Sequence, residues 1–220
     1  MQDLIKQEQF ELEVLDRLNS GRLLSGLIFT GGTMLRLCFG LNRYSVDLDF
    51  WTLKGFDKTN LFNNLKNYLE SYYHLKDAAN KFYTLLFELR SKDYPRALKI
   101  EIRKEPREVA TEQAIAYSKY SNKQVLTNVV TLPGMMKAKI NTFLDRNEIR
   151  DAFDIEFLLK KGVELNAPPD TLKKLLKNID SLKNNDYKVK LASILEEKQR
   201  KYYINNNFKI LKASIKENIS

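Results

Sequence analysis

Gly31-Gly32-Thr33, followed ten residues later by Arg43-Tyr44-Ser45-Val46-Asp47-Leu48-Asp49-Phe50, is the stretch that decides the fold. Tyr44 to Trp51 alternates and is predicted to be a strand. On a strand, residues two apart point to one face, so Asp47 and Asp49 project together while Val46, Leu48 and Phe50 anchor the other face in a core. Two carboxylates this close repel unless a cation or a proton lies between them. Hard oxygen ligands on one face suit Mg²⁺ or Mn²⁺, ions that usually also recruit substrate phosphates. A bare Asp-x-Asp is common, and its weight here comes from the glycines fifteen residues upstream of Asp47. Leu27 to Phe29 reads as a strand ending in a tight turn at Thr30-Gly31-Gly32. Thr33 then offers a hydroxyl cap for a short helix, Met34 to Phe39, stopped by Gly40. At such a turn glycines let backbone approach phosphate, and the helix N-terminus adds unpaired N–H donors. The Thr33 hydroxyl is expected to supply one donor more.

Two further segments carry charge in a pattern. Ala97 to Arg103 reads as a strand with Lys99, Glu101 and Arg103 on one face. Glu101 can complete a triad with Asp47 and Asp49, or it can pair with Lys99 or Arg103. The second segment runs Lys137-Ala-Lys139 through Asp145-Arg146 to Arg150-Asp151-Ala-Phe-Asp154. If one helix runs through it, Lys139, Arg146 and Arg150 fall on one face. If the helix breaks at Asn147, two helices bring their basic ends together. Either arrangement could contact a triphosphate or a phosphodiester backbone, although a solvated helix face has the same composition.

Outward from these segments, Leu4 to Leu18, Leu61 to Tyr73 and Ala110 to Tyr117 read as helical, and Phe82 to Leu89 as a strand. After Leu132-Pro133-Gly134 the character changes. Met135 to Leu159, Leu172 to Leu182, Asp186 to Tyr203 and Phe208 to Ile219 are predicted helices, with a linker at Asn166 to Asp170. The reading is an α/β domain over 1–131 followed by a helical domain over 132–220. At 220 residues, 43% hydrophobic and 30% charged, the chain is globular in composition. Its longest apolar runs, such as Leu23 to Phe29, are too short to cross a bilayer. No membrane partner is expected, nor a secretory signal, because Asp3, Glu8 and Glu11 interrupt the N-terminus. A cytoplasmic location is the simplest expectation. The single cysteine, Cys38, excludes an internal disulfide and a multi-thiolate zinc site. The single histidine, His74, is read within a Tyr-rich helix and has no acidic neighbour. Histidine-dependent hydrolysis is disfavoured, and neither a P-loop lysine motif nor a kinase His-Arg-Asp loop is present. A formal charge of +9 favours encounter with a polyanion such as RNA.

Together, Gly31-Gly32-Thr33, Arg43-x-Ser45-x-Asp47-Leu48-Asp49-Phe50, the Glu101 strand and Lys139…Arg146…Arg150-Asp151-x-x-Asp154 resemble the AbiEii/AbiGii toxin family of nucleotidyltransferases, over about Gly31 to Leu159. The resemblance implies an α/β (α+β) fold of DNA-polymerase-β type, a small mixed sheet with flanking helices, followed by a helical C-terminal lobe. It implies the toxin of a two-gene toxin–antitoxin or phage-exclusion system, with an antitoxin encoded next door. Some members of the family add nucleotides to the 3′ end of tRNA. The implied substrates are a nucleoside triphosphate (NTP) with Mg²⁺ or Mn²⁺, and an RNA acceptor. Asp47 and Asp49 match the metal-binding pair, with Glu101 as third ligand or base. Gly31, Gly32, Thr33, Arg43 and Ser45 match the nucleotide-contacting turn and strand entry. Lys139 matches the essential lysine, with Lys137 as the register alternative, and Arg146 and Arg150 match further phosphate contacts. Asp151 or Asp154 matches the distal acidic position. Two rivals belong to other classes: a nucleotide-dependent phosphotransferase on the same scaffold, and a non-catalytic nucleic-acid-binding module.

Overall fold

The computed structural model describes residues 2–219; Met1 and Ser220, the outer ends of the two expected spans, lie outside them. The chain divides into two compact units. The first takes in the chain up to Gly40 and then Tyr44–Val130; the second takes in Leu41–Arg43 and the chain from Thr131 onward.

The first unit is built on a seven-stranded mixed sheet. In chain order its elements are α1 (Gln2–Ser20), β1 (Leu27–Thr30), α2 (Gly31–Phe39), β2 (Asp47–Thr52), α3 (Leu61–Glu70), β3 (His74–Asn80), β4 (Thr84–Arg90), β5 (Leu98–Arg103), β6 (Thr111–Tyr117) and β7 (Gln124–Val130). The strand order is β3-β4-β5-β2-β1-β7-β6. Strands β2 and β5 run parallel, as do β1 and β7, and the other neighbours are antiparallel. The centre of the sheet is the driest part: β1 is buried along its whole length, and Phe29 and Phe50 stack with ring centroids 5.2 Å apart. Leu48, Phe87, Ile100 and Ile102 fill the core around them. Burying side chains of this size contributes roughly 1.5–3 kcal/mol each, which fixes β2 in register beside β5.

Several local expectations are corrected. Ala110 to Tyr117 is the edge strand β6, paired residue by residue with β7, and not a helix. His74 opens strand β3 instead of lying in a helix. Strand β2 begins only at Asp47, and the preceding Tyr44 to Val46 stays outside it. The short helix α2 starts at Gly31, so its N-cap is Thr30 and Thr33 lies inside its first turn. Its stop is Gly40, at φ 77°.

The second unit contains α4 (Leu132–Arg146), α5 (Ile149–Lys160), α6 (Pro169–Asp180), a π-helical turn at Asp186–Leu191, a 3₁₀ turn at Ala192–Ile194, α7 (Glu197–Asn206) and α8 (Lys209–Ile219). Helix α4 begins at a Thr131 cap, whose hydroxyl accepts from the Gly134 N–H, with Pro133 in the first turn. It ends at Asn147, whose left-handed backbone at φ 52° lets its N–H close on the Phe143 carbonyl. Of the two alternatives, one continuous helix or a break at Asn147, the structure has the break. Helix α5 is buried from Asp151 through Leu158, so it is the axis of the helical unit. Its Phe153 packs on Tyr203, with ring centroids 4.8 Å apart, and Tyr203 packs on Phe208 at 5.3 Å.

Candidate active site

The expected site residues gather in two clusters, one in each unit, and each follows from local geometry. In the first unit, Gly31 sits at φ 81° where β1 turns into α2. A Cβ placed there would lie 2.5 Å from Asp49 Oδ2. Glycine is thus required twice, for the backbone angle and for the space the Asp49 carboxylate occupies. The first N–H groups of α2 have no partner within the helix. The Thr33 hydroxyl, expected to face a phosphate, donates instead to the Asp47 carbonyl at 2.6 Å and is fully buried. Its role in the structure is to tie the helix to the carboxylate strand. Gly32 is buried beside it, and Ser45 is half-buried ahead of β2.

Along β2, Leu48 and Phe50 enter the core while Asp47 and Asp49 stay half-exposed. The parallel register with β5 sets Asp47 opposite Lys99 and Asp49 opposite Glu101. All four side chains therefore share one face of the sheet. Glu101 is ion-paired with Lys99. Lys99 is raised above the ordinary lysine range, first by its hydrogen bond to Glu101 and then by the charges of Glu101, Asp47 and Asp49, against an opposing effect of burial. These four residues are three carboxylates and one ammonium, and Arg103 follows on the same face of β5. Among the described residues, no group of three His, Cys, Asp or Glu side chains is arranged to hold a metal ion. Asp47 and Asp49 are two hard oxygen ligands, a donor set suited to Mg²⁺ with waters and phosphate oxygens completing its shell.

Sequence reasoning missed the layer beneath β2. Glu11, on α1, is fully buried and neither of its carboxylate oxygens has a partner. Burial first, and then the nearby Glu8, push its pKa well above the ordinary carboxylate range. Glu8 is itself tied to Arg36 and Ser118. The available signal was a glutamate set among Phe10, Leu12, Val14 and Leu15 on a helix, a position that packing fills.

In the second unit the charged cluster is interior. Asp154 is fully buried and accepts two hydrogen bonds from the Arg43 guanidinium, at 2.6 and 2.7 Å. Lys139 Nζ lies 2.6 Å from Asp154 and 3.2 Å from Asp151. Arg146 forks Asp151 at 2.7 and 2.9 Å while its side chain stays 40% exposed. Three cations thus enclose two carboxylates, leaving a net charge of +1. Burial alone would raise the pKa of Asp154, but the Arg43 and Lys139 charges and hydrogen bonds outweigh it and hold the group below the usual carboxylate range. Arg146 is raised by its hydrogen bond to Asp151. Both candidate distal acids belong to one network, and Lys139, unlike the exposed Lys137, is part of it. Arg43, expected to contact nucleotide, is 3% exposed and spends its fork on Asp154. Arg150 is exposed and stands outside the cluster.

A family model described as "Nucleotidyl transferase AbiEii toxin, Type IV TA system" matches residues 13–206, most of the chain. The chain belongs to the AbiEii nucleotidyltransferase toxin family. Among curated proteins, none matches it. Among solved structures, it is similar to one from H. pylori described as a "putative nucleotidyltransferase", at 22% identity and a TM-score of 0.57, over 95% of this chain and 96% of that one. It is similar also to JHP933 from Helicobacter pylori, at 22% identity and a TM-score of 0.56, over 96% of this chain and 94% of that one. These likenesses agree with the mixed α/β fold described above. As an AbiEii family member, the chain is a nucleotidyltransferase of a type IV toxin–antitoxin system, with a nucleotide substrate and a cognate antitoxin. Among the described residues, no helix is long and apolar enough to cross a membrane.

Proposed function

We propose that this nucleotidyltransferase moves a nucleotide from an NTP to an RNA acceptor, the 3′ end of a tRNA, with Mg²⁺ or Mn²⁺, in the cytoplasm. The observation that carries the reading is the pair Asp47 and Asp49 on one face of β2, set against the Gly31 turn at the N-terminus of α2. Asp47 and Asp49 would hold the divalent ion, which when bound supplies charge neutralisation and lowers the pKa of an attacking hydroxyl. Glu101, across the strand register from Asp49, completes the acidic face and steadies Lys99. The Gly31-Gly32 backbone receives phosphate oxygens at the helix N-terminus. In the transfer, an acceptor hydroxyl oxygen bonds to the α-phosphorus, the bond from that phosphorus to the bridging oxygen breaks, and pyrophosphate leaves with the electron pair. The hydroxyl proton passes to a carboxylate of the acidic face or to water.

We assign the chemistry to the domain over 1–131 and acceptor handling to the helical domain over 132–220. Support for an RNA acceptor is the +9 charge, since backbone contacts by lysine and arginine supply affinity without sequence selectivity. Arg146, half-exposed at the end of α4, is the cluster residue best disposed to meet a phosphate, with Lys139, Asp151 and Asp154 fixing its setting. The test is incubation of the purified chain with Mg²⁺ or Mn²⁺, total tRNA and each α-labelled triphosphate in turn. Label should enter RNA with release of pyrophosphate. If no label enters RNA while the nucleotide demonstrably binds, the RNA-transferase reading is lost. γ-Label on protein with release of a nucleoside diphosphate would establish the phosphotransferase rival.

A further inference from the structure

Within the helical unit, the end of α5 and the outward face of α7 enclose a hollow of about 470 Å³. That is within the range of small-ligand sites, about 300–1,000 Å³. Its wall includes Phe157, Lys160 and Lys161 from α5 and its end, and Lys198, Tyr202 and Tyr203 from α7. The spacing explains the gathering: Lys198 and Tyr202 are four apart on one helix, so they share a face. Three ammoniums line the space and no carboxylate does.

The three lysines are not equivalent. Lys160 is neutralised by the buried Glu156 at 2.7 Å, donates to the Tyr203 hydroxyl at 3.1 Å, and lies 5.1 Å from the centre of the Tyr202 ring. Its part is to hold the two tyrosines. Lys161 rests against the Phe157 ring, its Nζ 5.6 Å from the ring centre, and Lys198 is exposed. Neither Lys161 nor Lys198 makes an ion pair among the described residues. Tyr203 is buried against Phe153 and Phe208, whereas Tyr202 keeps 37% of its surface open. The hollow therefore offers a flat, partly open aromatic ring beside two ammoniums without acidic partners.

We propose that this hollow is a second nucleotide-binding site, in which a base stacks on Tyr202 and a phosphate is held by Lys161 and Lys198. Inorganic phosphate would use only the lysines, and an acidic peptide would leave the ring idle. A nucleotide uses both, because every base has a π-face to stack and carries its phosphate a few ångströms away. The sequence contributes the arrangement through Lys198-Gln-Arg-Lys-Tyr202-Tyr203, a basic and aromatic run on one helix. The site shares no residue with the Asp47 and Asp49 face, and its occupancy does not depend on the transfer reaction.

The test is fluorescence anisotropy on the full chain, without triphosphate or divalent metal. The probe is a labelled single-stranded RNA of about twelve nucleotides, within the usual range of single-strand site sizes, and AMP is the competitor. Tyr202→Leu should weaken RNA binding by about five-fold or more, the loss of one stacked base, and Tyr202→Phe should restore it. Lys161→Ala with Lys198→Ala should lower the salt slope by about 0.7, the value for the one phosphate of a single strand that the two lysines hold. Lys201→Ala, on the same helix but ion-paired with Glu197, removes one charge outside the hollow and should do less than Lys198→Ala alone. Competition by AMP that depends on Tyr202 would identify a free mononucleotide as the ligand. RNA binding without AMP competition would identify a strand. Both outcomes support the site. If neither ligand binds, the site is refuted. It is refuted also if Tyr202→Leu binds as the parent does while Lys201→Ala weakens binding as much as Lys198→Ala. Failure of nucleotidyl transfer would leave these binding results unchanged, so the two readings fall separately.

Discussion

Asp154→Asn removes the charge at the centre of the helical unit's ionic network while nearly preserving its shape. The wild-type carboxylate is fully buried and receives the Arg43 fork at 2.6 and 2.7 Å and Lys139 at 2.6 Å. After the substitution Lys139 retains Asp151 at 3.2 Å, but Arg43 loses the carboxylate that matched its fork. Breaking a buried pair from one side costs about 3–5 kcal/mol, because the remaining charge stays desolvated. Asparagine keeps one acceptor oxygen, so the low end, about 3 kcal/mol, is expected. At roughly 2–4 °C per kcal/mol for a chain of this size, Tm should fall by about 6–12 °C. Urea unfolding followed by circular dichroism measures the difference directly. The pH dependence supplies a second check. A carboxylate with a depressed folded pKa stabilises the fold above its unfolded value of about 3.9 and loses that contribution as pH falls through the folded value. The gap between parent and variant should accordingly be full at neutral pH and shrink in acid. A loss below about 1 kcal/mol at neutral pH, or a gap that widens with acid, would refute the reasoning.

Asp47→Ala and Asp49→Ala should each take nucleotidyl transfer below detection while the circular dichroism spectrum stays unchanged, since removing one carboxylate also relieves like-charge repulsion. Turnover equal to the parent in either variant would remove these residues from the site. Gly31→Ala should cost about 1–2 kcal/mol through the left-handed backbone. The new methyl, 2.5 Å from Asp49 Oδ2, should also displace that carboxylate and lower activity by roughly a hundred-fold. Steady-state kinetics on folded protein tests this. Lys137→Ala should change stability by no more than about 0.5 kcal/mol, as an exposed position does. Lys139→Ala should cost several times more in the same denaturation assay, and equal effects would show that the buried network contributes little.

Strands β2 and β5 were legible because each joins one apolar face to one charged face. Asp47-Leu48-Asp49-Phe50 and Lys99-Ile100-Glu101-Ile102 alternate without exception, and no helix period fits them. The break at Asn147 was legible for a similar reason, since few other residue types adopt its backbone angle. The sheet edge was not legible. Thr111-Glu-Gln-Ala-Ile-Ala-Tyr117 contains good helix formers, and its strand state comes from the ladder with β7, which pairs Ile115 with Leu126. That partner lies beyond any local window, and tertiary pairing overrides a weak propensity. At the site, sequence spacing put Asp47 and Asp49 on one strand face and Lys139 in register with Arg146, but it did not show what surrounds them. The commitment of the Thr33 hydroxyl to the Asp47 carbonyl, and of Arg43 to Asp154, depends on three-dimensional neighbours fourteen and 111 residues away.

The three residues Leu41–Arg43 belong with the helical unit although the chain on both sides of them belongs with the sheet. Arg43 reaches Asp154 from that short excursion and also bridges the backbone of Leu195. The helical unit is therefore not a suffix that a single cut at Val130 could release intact. A fragment beginning at Thr131 would carry a buried aspartate stripped of its guanidinium, and a fragment ending at Val130 would carry an arginine with its fork unfilled. Exchange of the helical half between relatives would have to move a tripeptide from the middle of the other half as well. Recombination at one point is thereby penalised, and the two halves are constrained to be inherited together.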